Sequence, residues 1–118
     1  MFSSAVVIDD DVDLCLLVKA ILYPSVSKIT CVHSLEVGKN ILNETNPDLI
    51  FLDNNLPDGQ GIDLIREIKA ARPRAIVIMI SALDNIKQKA LDEGADLFIE
   101  KPLSHKVLKE VIHTLAVN

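Results

Sequence analysis

The feature that most constrains this chain is an alternation of short apolar runs with longer segments of helical period, repeated five times along its length. Such alternation is the sequence sign of βα units on a parallel sheet, because joining two parallel strands requires a crossover, usually a helix. The predicted strands are Ala5–Ile8, Lys28–Val32, Leu49–Leu52, Ile76–Ile80 and Leu97–Glu100. The first, third and fourth are apolar throughout, as strands covered on both faces must be, whereas the weaker second and fifth are expected at the sheet edges.

Between the strands, apolar residues three and four apart predict helices at Val12–Leu22, Leu35–Glu44, Ile62–Ala71, Asn85–Glu93 and Ser104–Leu115. Asp10 or Asp11, Ser34 and Ser104 stand at N-cap positions, and Gly94 stands where a left-handed residue would close the fourth helix. Pro24, Pro47 and Pro73 punctuate helix ends. Every connection is short, with no internal repeat, low-complexity tract or linker, so a single α/β domain over residues 1–118 is expected, with no output domain in this chain.

Composition narrows the function classes. With 118 residues, 49% hydrophobic and 25% charged, the chain can bury one core without disulfides or a structural metal. Cys15 and Cys31 lack CxxC spacing and read as reduced, buried small hydrophobes. The formal net charge is −5 and the twelve basic residues are scattered, which argues against direct nucleic-acid binding. No basic segment precedes the first apolar run, and no apolar stretch approaches the ~20 residues of a membrane helix. A soluble, cytoplasmic protein without membrane association is the expectation.

In an open parallel sheet, ligands bind outside the carboxyl ends of the strands, near the point where strand order reverses. The first strand is followed by Asp9-Asp10-Asp11, the third by Asp53-Asn54-Asn55, the fourth by Ser81-Ala82 and the fifth by Lys101-Pro102. Carboxylates brought together in this way repel one another and either raise a pKa or recruit a cation. Mg²⁺ suits them, since it takes oxygen ligands from one or two carboxylates and a phosphoryl group. Asp53 is then free to act as a nucleophile toward an activated phosphoryl group, with the metal and Lys101 neutralising the equatorial oxygens. Ser81 supplies a hydroxyl that responds to the added charge, and Phe98 a side chain that swings inward to fill the space it leaves.

These motifs, in this order, resemble the receiver domains of two-component response regulators over residues 5 to 115. Ile8-Asp9-Asp10-Asp11 is similar to the family's acidic pocket, and Leu52-Asp53-Asn54-Asn55-Leu56-Pro57-Asp58-Gly59-Gln60-Gly61 to its phosphoacceptor loop. Ile80-Ser81-Ala82 is similar to its hydroxyl switch, and Gly94-Ala95-Asp96-Leu97-Phe98-Ile99-Glu100-Lys101-Pro102 to its fifth strand. The resemblance implies a doubly wound, flavodoxin-like (βα)5 fold with strand order 2-1-3-4-5. It implies phosphorylation at Asp53, Mg²⁺ held by Asp10 and Asp53 with Asp9 and the Asn55 backbone carbonyl, phosphoryl contact by Lys101, and a Ser81–Phe98 switch. It also implies a cis Lys101–Pro102 bond. The domain would catalyse its own phosphorylation and dephosphorylation rather than act as a conventional enzyme. The implied partner is a sensor histidine kinase or histidine phosphotransfer protein, and a homodimer is among the assemblies it allows. The Ser81–Gly94 interval is about two residues shorter than the family leads one to expect, so the fourth helix or the loop before it should be trimmed.

Other readings explain less. Asp11 and Asp13 are expected only to favour a helix N-terminus. As a calcium loop the acidic run fails, because Leu14 and Ala20 occupy the positions that need glycine and glutamate. Gly59-x-Gly61 lacks the third glycine of a dinucleotide fingerprint and reads as turn chemistry. His33, His105 and His113 form no metal-ligand spacing and are expected at the surface. A phosphatase resembling the haloacid dehalogenases would need Asp9 and Asp11 as its Asp-x-Asp pair and would leave Asp53 unexplained. A pseudo-receiver that only binds a partner would be marked by loss of acidic or lysine residues, and none is lost here.

Overall fold

The computed structural model describes residues 2–117. Five strands, β1 (Ser4–Ile8), β2 (Lys28–Val32), β3 (Leu49–Asp53), β4 (Ile76–Ser81) and β5 (Leu97–Glu100), form one parallel sheet of order β2-β1-β3-β4-β5. Both predicted edge strands lie at the edges, and each strand boundary falls within one residue of the sequence reading. The helices are α1 (Val12–Leu22), α2 (Leu35–Thr45), α3 (Ile65–Ala71), α4 (Lys87–Glu93) and α5 (His105–Val117).

The period-two alternation of the strands sorts the core into two layers. Ala5, Val7, Leu49, Phe51, Ile78, Ile80 and Ile99 face α1 and α5, meeting Leu14, Val18 and Leu108. Val6, Ile8, Ile50, Leu52, Val77 and Met79 face the other way, meeting Leu42 of α2, Ile65 and Ile68 of α3, and Ala90 of α4. Full burial of each such side chain contributes roughly 1.5–3 kcal/mol before the entropic cost of ordering it.

The expected caps form. Asp11 accepts from Asp13 N and Leu14 N at the start of α1, and Ser34 Oγ from Val37 N at the start of α2. Ser104 Oγ accepts from Val107 N beside α5. Gly94 closes α4 at φ +116°, a conformation other residues rarely adopt. Two starts differ from the sequence reading by more than one residue. The third and fourth helices open with 3-10 turns, Gly61–Leu64 and Asp84–Ile86, so the α-helical parts begin at Ile65 and Lys87 rather than Ile62 and Asn85. Neither start has a side-chain cap, and over a single turn an apolar pattern does not separate a period of 3.0 from 3.6. Cys31 is half-buried rather than fully buried, because β2 is an edge strand. Among the described residues no helix is long and apolar enough to cross a membrane.

Candidate functional site

Because the strands are parallel, their carboxyl ends share one edge of the sheet, and the order reverses between β1 and β3. Asp9 follows β1, Asp53 ends β3 and Lys101 follows β5. All three continue the same alternation, the one that includes Val7, Phe51 and Ile99, so their side chains emerge on the same side of the sheet.

There, Lys101 Nζ lies 3.3 Å from Asp53 Oδ1 and 3.4 Å from Asp9 Oδ2. Asp9 and Asp53 are buried, at 1% and 2% exposure, while Asp10 is exposed. Asp9, Asp10 and Asp53 each bring one carboxylate oxygen within 4.8 Å of the others. Asp9 Oδ1 accepts the Asp11 N–H at 2.9 Å, whereas Asp9 Oδ2 is buried and, among the described residues, accepts no hydrogen bond, meeting Lys101 there as an ion pair.

Electrostatics follow from this geometry. Burial, reinforced by the charge of Asp53, pushes the Asp9 carboxyl up to about 6 against the pull of the Asp11 N–H and Lys101. Burial also raises Asp53, although Lys101 and the Asn55 N–H work the other way. For Lys101, burial alone would lower the pKa, but Asp9 and Asp53 outweigh it and hold the ammonium above its usual value. A buried carboxylate oxygen without a hydrogen bond, beside two further carboxylates, is a donor set that fits a hard divalent cation.

The loop after β3 is fixed by contacts that the sequence reading did not assign. Asn54 is buried; its N–H donates to Ile80 O, its carbonyl accepts Gly61 N and its Oδ1 accepts Ile62 N at 3.0 Å. Asn55–Leu56 and Gly59–Gln60 form a small antiparallel hairpin. A Cβ on Gly61 would collide with the Asp53 backbone carbonyl, so this position requires glycine. Asp58 accepts Leu35 N and Glu36 N at 2.8 and 2.9 Å, tying the hairpin to the start of α2, and these bonds hold its carboxyl below the usual range.

Ser81 ends β4 and is buried; its Oγ accepts Leu83 N at 3.0 Å. By alternation it falls on the α4 side of the sheet with Met79, and Phe98, paired with Met79, is half-buried against the same cluster with Ile86. His33 is exposed, as are His105 and His113, but its Nδ1 lies 2.9 Å from Asp9 O and so braces the β1–α1 loop. The available signal was its position immediately after β2. The Lys101–Pro102 peptide bond is cis. Beside Lys101, a groove of about 440 Å³ opens between α1 and the β5–α5 loop, lined in part by Leu14, Leu17, Ala82 and Leu103.

The family model of the response regulator receiver domain matches residues 5–113. The chain belongs to the response regulator receiver domain family. PilR, a response regulator protein of Pseudomonas aeruginosa, is 30% identical to this receiver domain over 112 residues, 93% of this chain and 25% of that protein. The transcriptional regulatory protein CitB of Klebsiella pneumoniae is 32% identical over 96 residues, 80% of this chain and 41% of that protein. The receiver domain therefore spans between 25% and 41% of the length of these curated relatives. Among solved structures, the BeF3-activated receiver domain of DrrB, a Thermotoga maritima OmpR/PhoB homologue, superposes with a TM-score of 0.85 at 26% identity, covering 100% of each chain.

Proposed function

We propose that this receiver domain accepts a phosphoryl group on Asp53 from a histidine kinase or histidine phosphotransfer protein and passes the signal to its own surface. The observation that carries this reading is the convergence of Asp9, Asp10 and Asp53 within 4.8 Å, with Lys101 Nζ 3.3 Å from Asp53 Oδ1. In the forward step an Asp53 carboxylate oxygen attacks phosphorus, the new O–P bond forms and the donor's N–P bond breaks, and the donor imidazole leaves with its electron pair. Lys101 neutralises charge on the equatorial oxygens without moving far. The groove between α1 and the β5–α5 loop, which Lys101 lines, is where a donor protein would approach.

Asp9, Asp10, Asp53 and the Asn55 backbone carbonyl are the groups that would hold Mg²⁺. Bound there, the ion supplies positive charge against the carboxylates and the incoming phosphoryl oxygens. Hydrolysis of the acyl phosphate by water resets the domain.

The added phosphoryl charge attracts the Ser81 hydroxyl, which otherwise accepts from Leu83 N. Its shift loosens the loop before α4, and half-buried Phe98 turns into the space beneath. The α4–β5–α5 face then reports the chemistry.

Incubation with acetyl phosphate followed by intact-mass measurement tests the reading. One Mg²⁺-dependent phosphoryl adduct, absent from Asp53→Asn, is expected. Failure of the wild-type domain to form an adduct while it still binds beryllofluoride and Mg²⁺ would restrict the question to the donor or the phosphoryl lifetime; failure to bind either would favour a phosphorylation-independent module.

A further inference from the structure

The backbone of Asp9 is held by the end of β2 at both of its polar groups. Asp9 N–H donates to Val32 O at 3.0 Å, and Asp9 O lies 2.9 Å from His33 Nδ1. A carbonyl oxygen only accepts, so Nδ1 carries the ring proton and donates it. The β1–β2 ladder is in register up to Ile8 and Val32. Continued by one step, a parallel ladder would send Ser34 N–H to the Asp9 carbonyl. The chain instead turns at Ser34, the N-cap of α2, and the His33 side chain takes the place of that backbone donor.

The bond fixes the plane of the peptide that follows. Asp9 O belongs to the planar Asp9–Asp10 amide, so pinning that oxygen sets the direction in which the chain enters Asp10. Asp11 is tied down separately, its N–H donating to Asp9 Oδ1 at 2.9 Å and its carboxylate capping α1. Between these anchors Asp10 is exposed, yet one of its carboxylate oxygens lies within 4.8 Å of those of Asp9 and Asp53. With no burial to hold it, Asp10 keeps that place through its backbone.

We propose that His33 is a positioning residue of the acidic pocket: by donating from Nδ1 to Asp9 O it orients the Asp9–Asp10 peptide so that Asp10 joins Asp9 and Asp53 around a divalent cation. This role rests on the Mg²⁺ site proposed above and is exerted through the backbone. Groups that orient a metal's ligands from behind commonly carry about 10- to 100-fold of its affinity.

The test compares the wild-type domain with His33→Asn, His33→Gln and His33→Ala. An asparagine amide nitrogen stands where Nδ1 stands, one bond beyond Cγ, whereas the glutamine amide lies a bond further out. Mg²⁺ affinity measured by calorimetry should fall by roughly 10-fold or more in His33→Ala and His33→Gln, and stay within about threefold of wild type in His33→Asn. Urea unfolding in EDTA should show His33→Asn and His33→Gln equally stable, so that affinity follows the donor and not the fold. In the metal-free wild type, nitrogen-15 NMR of the neutral His33 ring should find the proton on Nδ1. Mg²⁺ binding by His33→Ala or His33→Gln as tight as wild type, binding by His33→Asn as weak as His33→Ala, or a neutral ring protonated at Nε2 would overturn the role of His33 and leave the Mg²⁺ site standing. Absence of Mg²⁺ binding from the wild type itself would overturn the site and this role with it.

Discussion

Lys101 Nζ lies 3.3 Å from Asp53 Oδ1 although 48 positions separate the two residues in sequence. β4 holds them together: it pairs with β3 through Asp53 and Ile80, and with β5 through Ser81 and Glu100. Lys101 N–H then donates to Ser81 O at 2.8 Å, setting the start of the lysine side chain over the pocket.

Replacing Lys101 by methionine keeps most of the stem and removes the charge. Asp9 and Asp53 then lose the cation that lowers both. Phosphoryl uptake from acetyl phosphate should slow by on the order of 10²-fold, as when one electrostatic stabiliser of a transition state is removed. Both carboxyls should titrate at higher pH than in the wild type by carbon-detected NMR. Uptake at the wild-type rate would exclude Lys101 from charge neutralisation.

The pH dependence of stability, measured by urea unfolding in EDTA, has a definite sign. Asp9 titrates near 6 in the fold against 3.8 for the ordinary side chain, so the folded state holds this proton more tightly than the unfolded chain does. The resulting stabilisation is full below about 4 and is lost as pH rises through 6. Asp53 shifts in the same direction. Asp58 shifts the opposite way, so its contribution is present above 3.8 and is lost only as pH falls through its lowered folded pKa. Between pH 7 and pH 5 the metal-free domain should therefore gain about 1 kcal/mol from Asp9. A loss of stability over that interval would contradict the burial of Asp9. Millimolar Mg²⁺ should narrow the difference by favouring the ionised carboxylates.

Gly61→Ala forces a methyl group into the Asp53 backbone carbonyl and Leu52. Since the obstacle is backbone, relief requires moving the phosphoacceptor itself. The variant should lose roughly 3 kcal/mol or more in urea unfolding, at the high end for single substitutions. Asn54→Ala, which strands the Ile62 N–H, should cost about 1–3 kcal/mol. If both variants proved as stable as the wild type, the loop would not be fixed as described.

The strands and the strand-end residues were legible because each signal is local: an apolar run, then a polar residue where the parallel sheet must open. Asp9, Asp53, Ser81 and Lys101 could all be assigned in this way. Asn54 could not, because whether an asparagine after a strand points outward or pins Ile62 depends on the path of the whole loop. His33 was readable as a surface residue, but its contact with Asp9 O joins the ends of two adjacent strands and needs the register.

Ser81→Ala separates chemistry from response. The substitution removes the bond to Leu83 N but leaves Asp9, Asp53 and Lys101 in place. Asp53 should still be phosphorylated, while the amide chemical-shift changes on α4, β5 and α5 seen for the phosphorylated wild type should shrink. Equal shifts in the two proteins would dissociate Ser81 from the switch.

The most direct test of the central claim is to phosphorylate the wild-type domain, reduce the acyl phosphate with borohydride and sequence the peptides by mass spectrometry. The account predicts homoserine at position 53 and nowhere else, dependent on Mg²⁺ during phosphorylation. Homoserine at position 9 or 10, or no reduction product from protein that binds Mg²⁺ and has been exposed to donor, would contradict it.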